Sequence, residues 1–140
     1  MPVAAEDFRT AHAKLRLQTE CLRRAAREIP HLSRSDRAAV RDAVLDFLQR
    51  DVEPHTRLDE QLLYPEVNDR LGAPLASASM AYDHLAIRRW IDDLAHADPA
   101  LPDRLQELLY GLDALMRVHI WKEESLYLPA VEDAAWPSSR

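Results

Sequence analysis

A chain of 140 residues with 47% hydrophobic and 30% charged side chains has the length of one domain and the apolar content for a core. Its net charge of −6 excludes the basic stripe of a nucleic-acid surface. Its single cysteine, Cys21, excludes an internal disulfide and a cysteine metal cage, and reads as a small apolar residue near a helix face.

With only 2 glycines and abundant Ala, Leu, Arg, Glu and Asp, the composition favours helices over hairpins. The first helix is expected from about Ala4 to Ile29, with Phe8, His12, Leu15, Thr19, Leu22 and Ala26 on one stripe and Pro30 ending it. Ser33 or Ser35 can cap the second, whose stripe is Val40, Val44, Phe47, Asp51, His55, Leu58 and Leu62. Pro54 should kink this helix, and Pro65 with Gly72 should close it. The third runs from about Ala73 to His96 with Met80, His84, Ile87, Ile91 and Leu94 inward. After the linker Asp98–Pro102, the fourth carries Leu105, Leu108, Leu112, Leu115, His119, Glu123 and Leu126 until Pro129.

Four such helices with short connections predict an all-α, antiparallel up-down four-helix bundle. It is one domain over 1–140, built as a hairpin at 4–71, a linker at 72–76 and a hairpin at 77–134. No run approaches the ~20 apolar residues of a membrane span. The opening MPVAAEDFRT lacks the basic and apolar regions of an export signal, so a cytoplasmic location is expected.

Each apolar stripe is interrupted by a histidine: His12, His55, His84 and His119. Asp59 and Glu123 follow the second and fourth of these by one turn, and residues at i and i+4 are surface neighbours on a helix. All six side chains therefore point to one level of the interior. An unpartnered buried polar group costs roughly 1–3 kcal/mol, and a buried charge more. Six of them rival the whole ~5–15 kcal/mol stability of a domain. Cations bound by neutral imidazole and carboxylate offset that cost directly.

An internal repeat supports a metal centre. HTRLDEQLLYP (55–65) and HIWKEESLYLP (119–129) share His-x3-acid-Glu-x4-Pro without a gap, and His12-x3-Arg16 matches His84-x3-Arg88. Each hairpin thus brings one lone histidine and one histidine–acid pair. A pseudo-twofold arrangement gives each hairpin one metal, with the acids free to bridge a pair ~3.5–4 Å apart.

The pattern His12 … His55-x3-Asp59-Glu60 … His84 … His119-x3-Glu123-Glu124 resembles the hemerythrin family, specifically its bacterial HHE cation-binding domains. The resemblance covers nearly the whole chain. It implies a four-helix bundle with two oxo- or hydroxo-bridged iron ions, held by His12, His55, Asp59, His84, His119 and Glu123. Sites of this mixed type also accept zinc or manganese. Oxygen-carrying relatives have a further histidine where this chain has Arg88, and Asp59 stands where glutamate is commoner. Asp59 is then expected to bridge or to bind one iron terminally, or else Glu60 rotates in.

The departure at Arg88 moves the expected function from reversible oxygen carriage toward redox turnover of peroxide or related oxygen and nitrogen species. The alternatives are an oxygen, nitric-oxide or iron sensor without turnover, and an oxidase or oxygenase acting on an organic substrate. The expected partners are small ligands such as oxygen, peroxide and nitric oxide, with no nucleic acid and no membrane; any protein partner is unspecified.

Arg88 has two readings. It borders the open metal position and polarises a bound peroxide, or, like Arg16, it reaches the bundle end and pairs with Glu60 or Glu124. Those two glutamates lie about 140° round the helix from their histidines, where they hydrogen-bond to ligands or face solvent. Tyr64, Tyr82, Tyr110 and Tyr127 read as core or rim residues before phenolate ligands or a radical relay, and Trp90 and Trp121 as packing residues. Glu28-x2-His31 and Asp93-x2-His96 mimic a di-iron pair, but His31 follows Pro30 and His96 falls off its stripe. Serine-nucleophile, P-loop and dinucleotide signatures are absent.

Overall fold

A computed structural model describes residues 5–132, all four connected rods being helical, with no strand among the described residues. The expected hairpin ends at 4, 133 and 134 lie outside that range. We name the rods α1 (Ala5–Glu28), α2 (34–71), α3 (Ala78–Ala95) and α4 (102–132). No helix among the described residues is long and apolar enough to cross a membrane.

In α1 the expected stripe is the buried one: Phe8, His12, Leu15, Thr19, Leu22 and Ala26 all face inward. Pro30 sits in a 3-10 turn, Ile29–His31, that closes the rod. Ser33, rather than Ser35, caps α2 by accepting the Asp36 amide at 3.1 Å. The whole α3 stripe (Met80, His84, Ile87, Ile91, Leu94) is buried, although the helix starts at Ala78 after a turn.

Two expectations fail in α2 and α4, for one reason. Neither Pro65 nor Pro129 ends its helix; α2 runs on to Leu71 and α4 to Glu132. Instead, each of Pro54, Pro65 and Pro129 follows a widened turn: Leu48–Val52, Asp59–Leu63 and Glu123–Tyr127. Across these turns the amides of Glu53, Tyr64 and Leu128 bond five residues back, to the carbonyls of Leu48, Asp59 and Glu123. Proline lacks an amide and crowds the carbonyl four residues earlier. Widening the turn removes the clash while the helix continues.

Each widened turn shifts the helical phase. Leu58, Leu62 and Leu126, expected inward, are 47%, 51% and 61% exposed, while Leu48, Val52, Leu63, Tyr64, Val67 and Leu128 take the interior. The true stop of α2 is Gly72, at φ +61°, a left-handed conformation that a residue without Cβ adopts freely.

The buried apolar residues form two clusters. The larger contains Leu15, Leu22, Leu48, Ile87, Leu94, Leu109 and Met116; the smaller contains Phe8, Leu63, Tyr64, Met80 and Leu128. Along α1 the change from one to the other falls at His12, and along α3 at His84. The ionisable side chains therefore occupy a polar seam between two oily ends. Close packing of α3 on α4 depends on Gly111, where any Cβ would overlap the Trp90 ring.

Candidate metal centre

Six ionisable side chains meet in that seam: His12, His55, Asp59, His84, His119 and Glu123 are all buried, with His12, Asp59, His84 and Glu123 fully so. Their donor atoms fall into two groups, each close enough to hold a metal ion. One joins His12, His55, Asp59 and Glu123; the other joins Asp59, His84 and His119. Asp59 belongs to both. Its Oδ1 lies 3.4 Å from His55 Nε2, and its Oδ2 lies 3.3 Å from His84 Nε2 and 3.8 Å from His119 Nε2. Glu123 Oε1 likewise stands 3.0 Å from His119 Nε2 and 3.7 Å from His12 Nε2.

The four inner ring nitrogens pair across the seam, His12 Nε2 to His55 Nε2 at 3.0 Å and His84 Nε2 to His119 Nε2 at 3.0 Å. The outer nitrogens set the tautomers. His12 Nδ1 meets Glu124 at 3.2 Å, His84 Nδ1 meets Glu60 at 2.9 Å and His119 Nδ1 meets Asp83 at 3.0 Å. An imidazole that donates its Nδ1 proton to a carboxylate presents a bare lone pair at Nε2. Lone pairs facing each other at such distances repel unless a proton or a cation lies between them.

The carboxylates make the same demand. Neither oxygen of Asp59 nor of Glu123 has a hydrogen-bond partner among the described residues, although all four are buried. Buried acceptors left unpaired are rare in folded proteins. Imidazole nitrogens and carboxylate oxygens turned on one point suit a divalent cation of the iron, zinc or manganese type. The residues present thus fit a metal pair.

On protein charges alone the site is electrostatically divided. Burial lowers His12 to about 3, helped by its neighbour His55. Burial lowers His55 as well, so both imidazoles are neutral at pH 7. Burial would lower His119 too, but Asp59, Asp83 and Glu123 outweigh it and raise it to about 11. Burial and the charge of Asp59 push Glu123 up, whereas the histidines hold Asp59 down against its own burial.

A charged rim holds the imidazoles in place. Arg88 Nη2 meets both oxygens of Glu60 at 3.2 Å, Arg16 pairs with Glu124, and Lys122 Nζ lies 2.6 Å from Asp83. Both arginines therefore sit on the carboxylates that orient His84 and His12. Glu60 is engaged there rather than turned inward. His31 and His96 are exposed and belong to neither donor group.

Tyr64 is buried in the core, as read, and also stands beside the second group. Its phenol oxygen is 3.0 Å from His84 Nε2 and 3.3 Å from His119 Nε2. Burial and the charges of Glu123 and Asp59 raise its pKa, so it keeps its proton there. The signal for it was Pro65: the widened turn before a proline stacks Tyr64 above Asp59. Asp83 was missed, since a residue of α3 orienting a histidine of α4 leaves no mark in either helix. Tyr127 is buried with its hydroxyl donating to the Ala76 carbonyl at 3.1 Å, while Tyr82 and Tyr110 are exposed. Trp121 is 66% exposed, not packed, and Cys21 is free and exposed.

No curated protein and no solved structure matches the chain. A family model does, that of the hemerythrin HHE cation-binding domain, over residues 3–131. With that match spanning nearly the whole chain, and the histidines and acids gathered in one buried seam, the protein belongs to the hemerythrin HHE cation-binding family and is a metal-binding helical protein.

Proposed function

We propose that the chain holds two iron ions and turns over hydrogen peroxide or a related small oxygen or nitrogen species. His12 and His55 would hold one ion and His84 and His119 the other, with Asp59 and Glu123 between them. The observation that carries this reading is the set of four buried, unpartnered oxygens on Asp59 and Glu123, flanked on both sides by histidine nitrogens. Two adjacent redox metals supply the two electrons that peroxide chemistry needs.

The chain's own residues provide the rest. His84 and His119 are pinned by Glu60 and Asp83, so their inner nitrogens keep their aim. Tyr64 holds a proton at its phenol oxygen beside that pair, within reach of a small molecule bound there. The Tyr64 phenol beside His84 and His119 favours that side for the small ligand. In the bundle we infer, the rods run alternately up and down. Arg9 near the start of α1 paired with Glu132 near the end of α4, and Gln106 near the start of α4 bonded to Ala26 near the end of α1, support this. A cytoplasmic setting and the absence of nucleic-acid or membrane partners go with this reading.

The test is metal analysis and an optical spectrum of aerobically purified protein, followed by addition of peroxide. Two irons per chain, a band at the edge of the ultraviolet and oxygen evolution lost in His84→Ala are expected. Turnover no faster than that of free iron would sink the enzymatic reading. A sensor is the second reading, favoured by the widened turns that begin at Asp59 and Glu123. There a change at either carboxylate bears directly on helix phase. It predicts reversible ligand spectra without turnover.

A further inference from the structure

The two hairpins correspond residue for residue around the centre, and the correspondence fails at one histidine. Asp83 and Lys122 cover the outer nitrogen of His119. Asp83 directly precedes His84, and Lys122 lies three residues after His119; the equivalent positions in the other hairpin are Ala11 and Leu58. His55 therefore loses the acid and the cation that its counterpart has. Its Nε2 faces His12 at 3.0 Å and Asp59 at 3.4 Å, but among the described residues no group is hydrogen-bonded to its Nδ1.

A cavity of about 210 Å³ lies where the missing pair would be. Ala11, Leu58 and His55 line it, with Lys14, Arg50 and Asp51. His55 keeps 7% of its surface exposed, while His12 and His84 keep none. Lys14 and Arg50 stand 3.5 Å and 3.4 Å from Asp51, so two cations share one acid in the cavity wall. Arg50 also meets Asp46 outside the wall, and Asp51 also accepts from Gln18. With Asp46 counted the rim balances two cations against two acids, so the uncovered Nδ1 of His55 is what calls for a small acceptor, with Lys14 and Arg50 beside it to meet a negative charge.

We propose that this cavity binds a small monocarboxylate whose oxygen accepts the Nδ1 proton of His55, as Asp83 accepts that of His119. At ~30 Å³ per water molecule, the space admits an acid several carbons larger than acetate. The bound acid holds the His55 ring from its outer nitrogen, as Asp83 holds that of His119. The aim of the fourth imidazole is then controlled by a small molecule. This inference needs the donor geometry but not peroxide turnover.

Acetate is the probe, titrated calorimetrically into the full, iron-loaded chain. One acetate per chain with a millimolar Kd is expected. Ala11→Asp places a carboxylate over His55 from within, and Leu58→Trp fills the cavity from its exposed side. Each should weaken acetate at least about tenfold, or ~1.4 kcal/mol, with iron content retained. Asp83→Ala uncovers the equivalent place on His119 and should admit a second acetate. No binding up to about 100 mM, where a millimolar site saturates, would overturn the proposal. So would binding unchanged in both cavity variants, which would put acetate on the metal, or a single acetate still bound in Asp83→Ala. An iron-loaded protein that binds acetate in the expected way yet leaves peroxide untouched separates this inference from the proposed activity.

Discussion

The phenol of Tyr64 touches Nε2 of His84 at 3.0 Å, although Tyr64 lies five residues beyond Asp59 and an unbroken α-helix would turn it about 140° away. The widened turn Asp59–Leu63 closes that angle. The equivalent position in the other hairpin is Leu128, fully buried and apolar, so the phenol marks one side of a nearly symmetric centre.

Removing that hydroxyl should separate chemistry from assembly. Tyr64→Phe is expected to keep two metal ions and to lose about 1 kcal/mol of stability, the worth of a buried hydrogen bond. If Tyr64 supplies a proton, peroxide turnover falls about 10²-fold. Stopped-flow oxygen measurement on the two proteins checks this; equal rates would remove Tyr64 from the chemistry.

Metal-free and metal-loaded protein should respond oppositely to pH between 7 and 9. Without metal, His119 is raised to about 11, so its contribution to stability is full below the ordinary histidine value and declines as pH rises toward 11. Glu123 is also raised, and its contribution has declined by the time pH passes about 7. Metal competes with the same protons, so affinity grows with pH and binding releases protons, about one from His119 at pH 8. Thermal melts with and without chelator across this range, with calorimetry in buffers of different ionisation enthalpy, read both effects. Parallel slopes would contradict them.

Glu123→Gln should reverse its effect with metal content. In the metal-free protein at pH 8 it removes a charge whose burial and repulsion by Asp59 outweigh its 3.0 Å contact with His119, and should stabilise by about 1–3 kcal/mol. In the presence of iron it should lower metal content and abolish the melting advantage of the loaded protein, which is ~4 kcal/mol at a thousandfold excess over Kd. A variant that melts lower in both states would indicate that the carboxylate holds the apo fold together.

The carboxylates behind the histidines should matter without touching metal. Asp83→Asn and Glu124→Gln are each expected to weaken metal binding about 10–100-fold, with little change in the unfolding midpoint of the stripped protein. Competition against a chromophoric chelator measures this.

Gly111→Ala tests the packing of α3 on α4. Helix propensity favours alanine by ~1 kcal/mol, but the new Cβ overlaps the Trp90 ring. Overpacking of this kind costs about 1–3 kcal/mol, so a net loss in urea unfolding is expected. Trp90→Leu in the same chain should recover it.

The sequence by itself determined the four rods, the buried stripes of α1 and α3, and the six ionisable residues of the seam. Those follow from local rules: apolar residues recur with the helical period, and a histidine and an acid at i and i+4 share a face whatever the helix packs against. What only the tertiary structure decided begins at Pro54, Pro65 and Pro129. A proline reads equally as a stop, a kink or a widened turn, and the choice depends on whether burying Leu63, Val67 and Leu128 repays continuing the helix. That choice exposed Leu58 and Leu62 and delivered Tyr64 to His84. Pairings between rods, such as Asp83 with His119, and the cavity over His55 were out of reach for the same reason. They join side chains far apart in the chain, and no periodicity within one helix records what its neighbour presents.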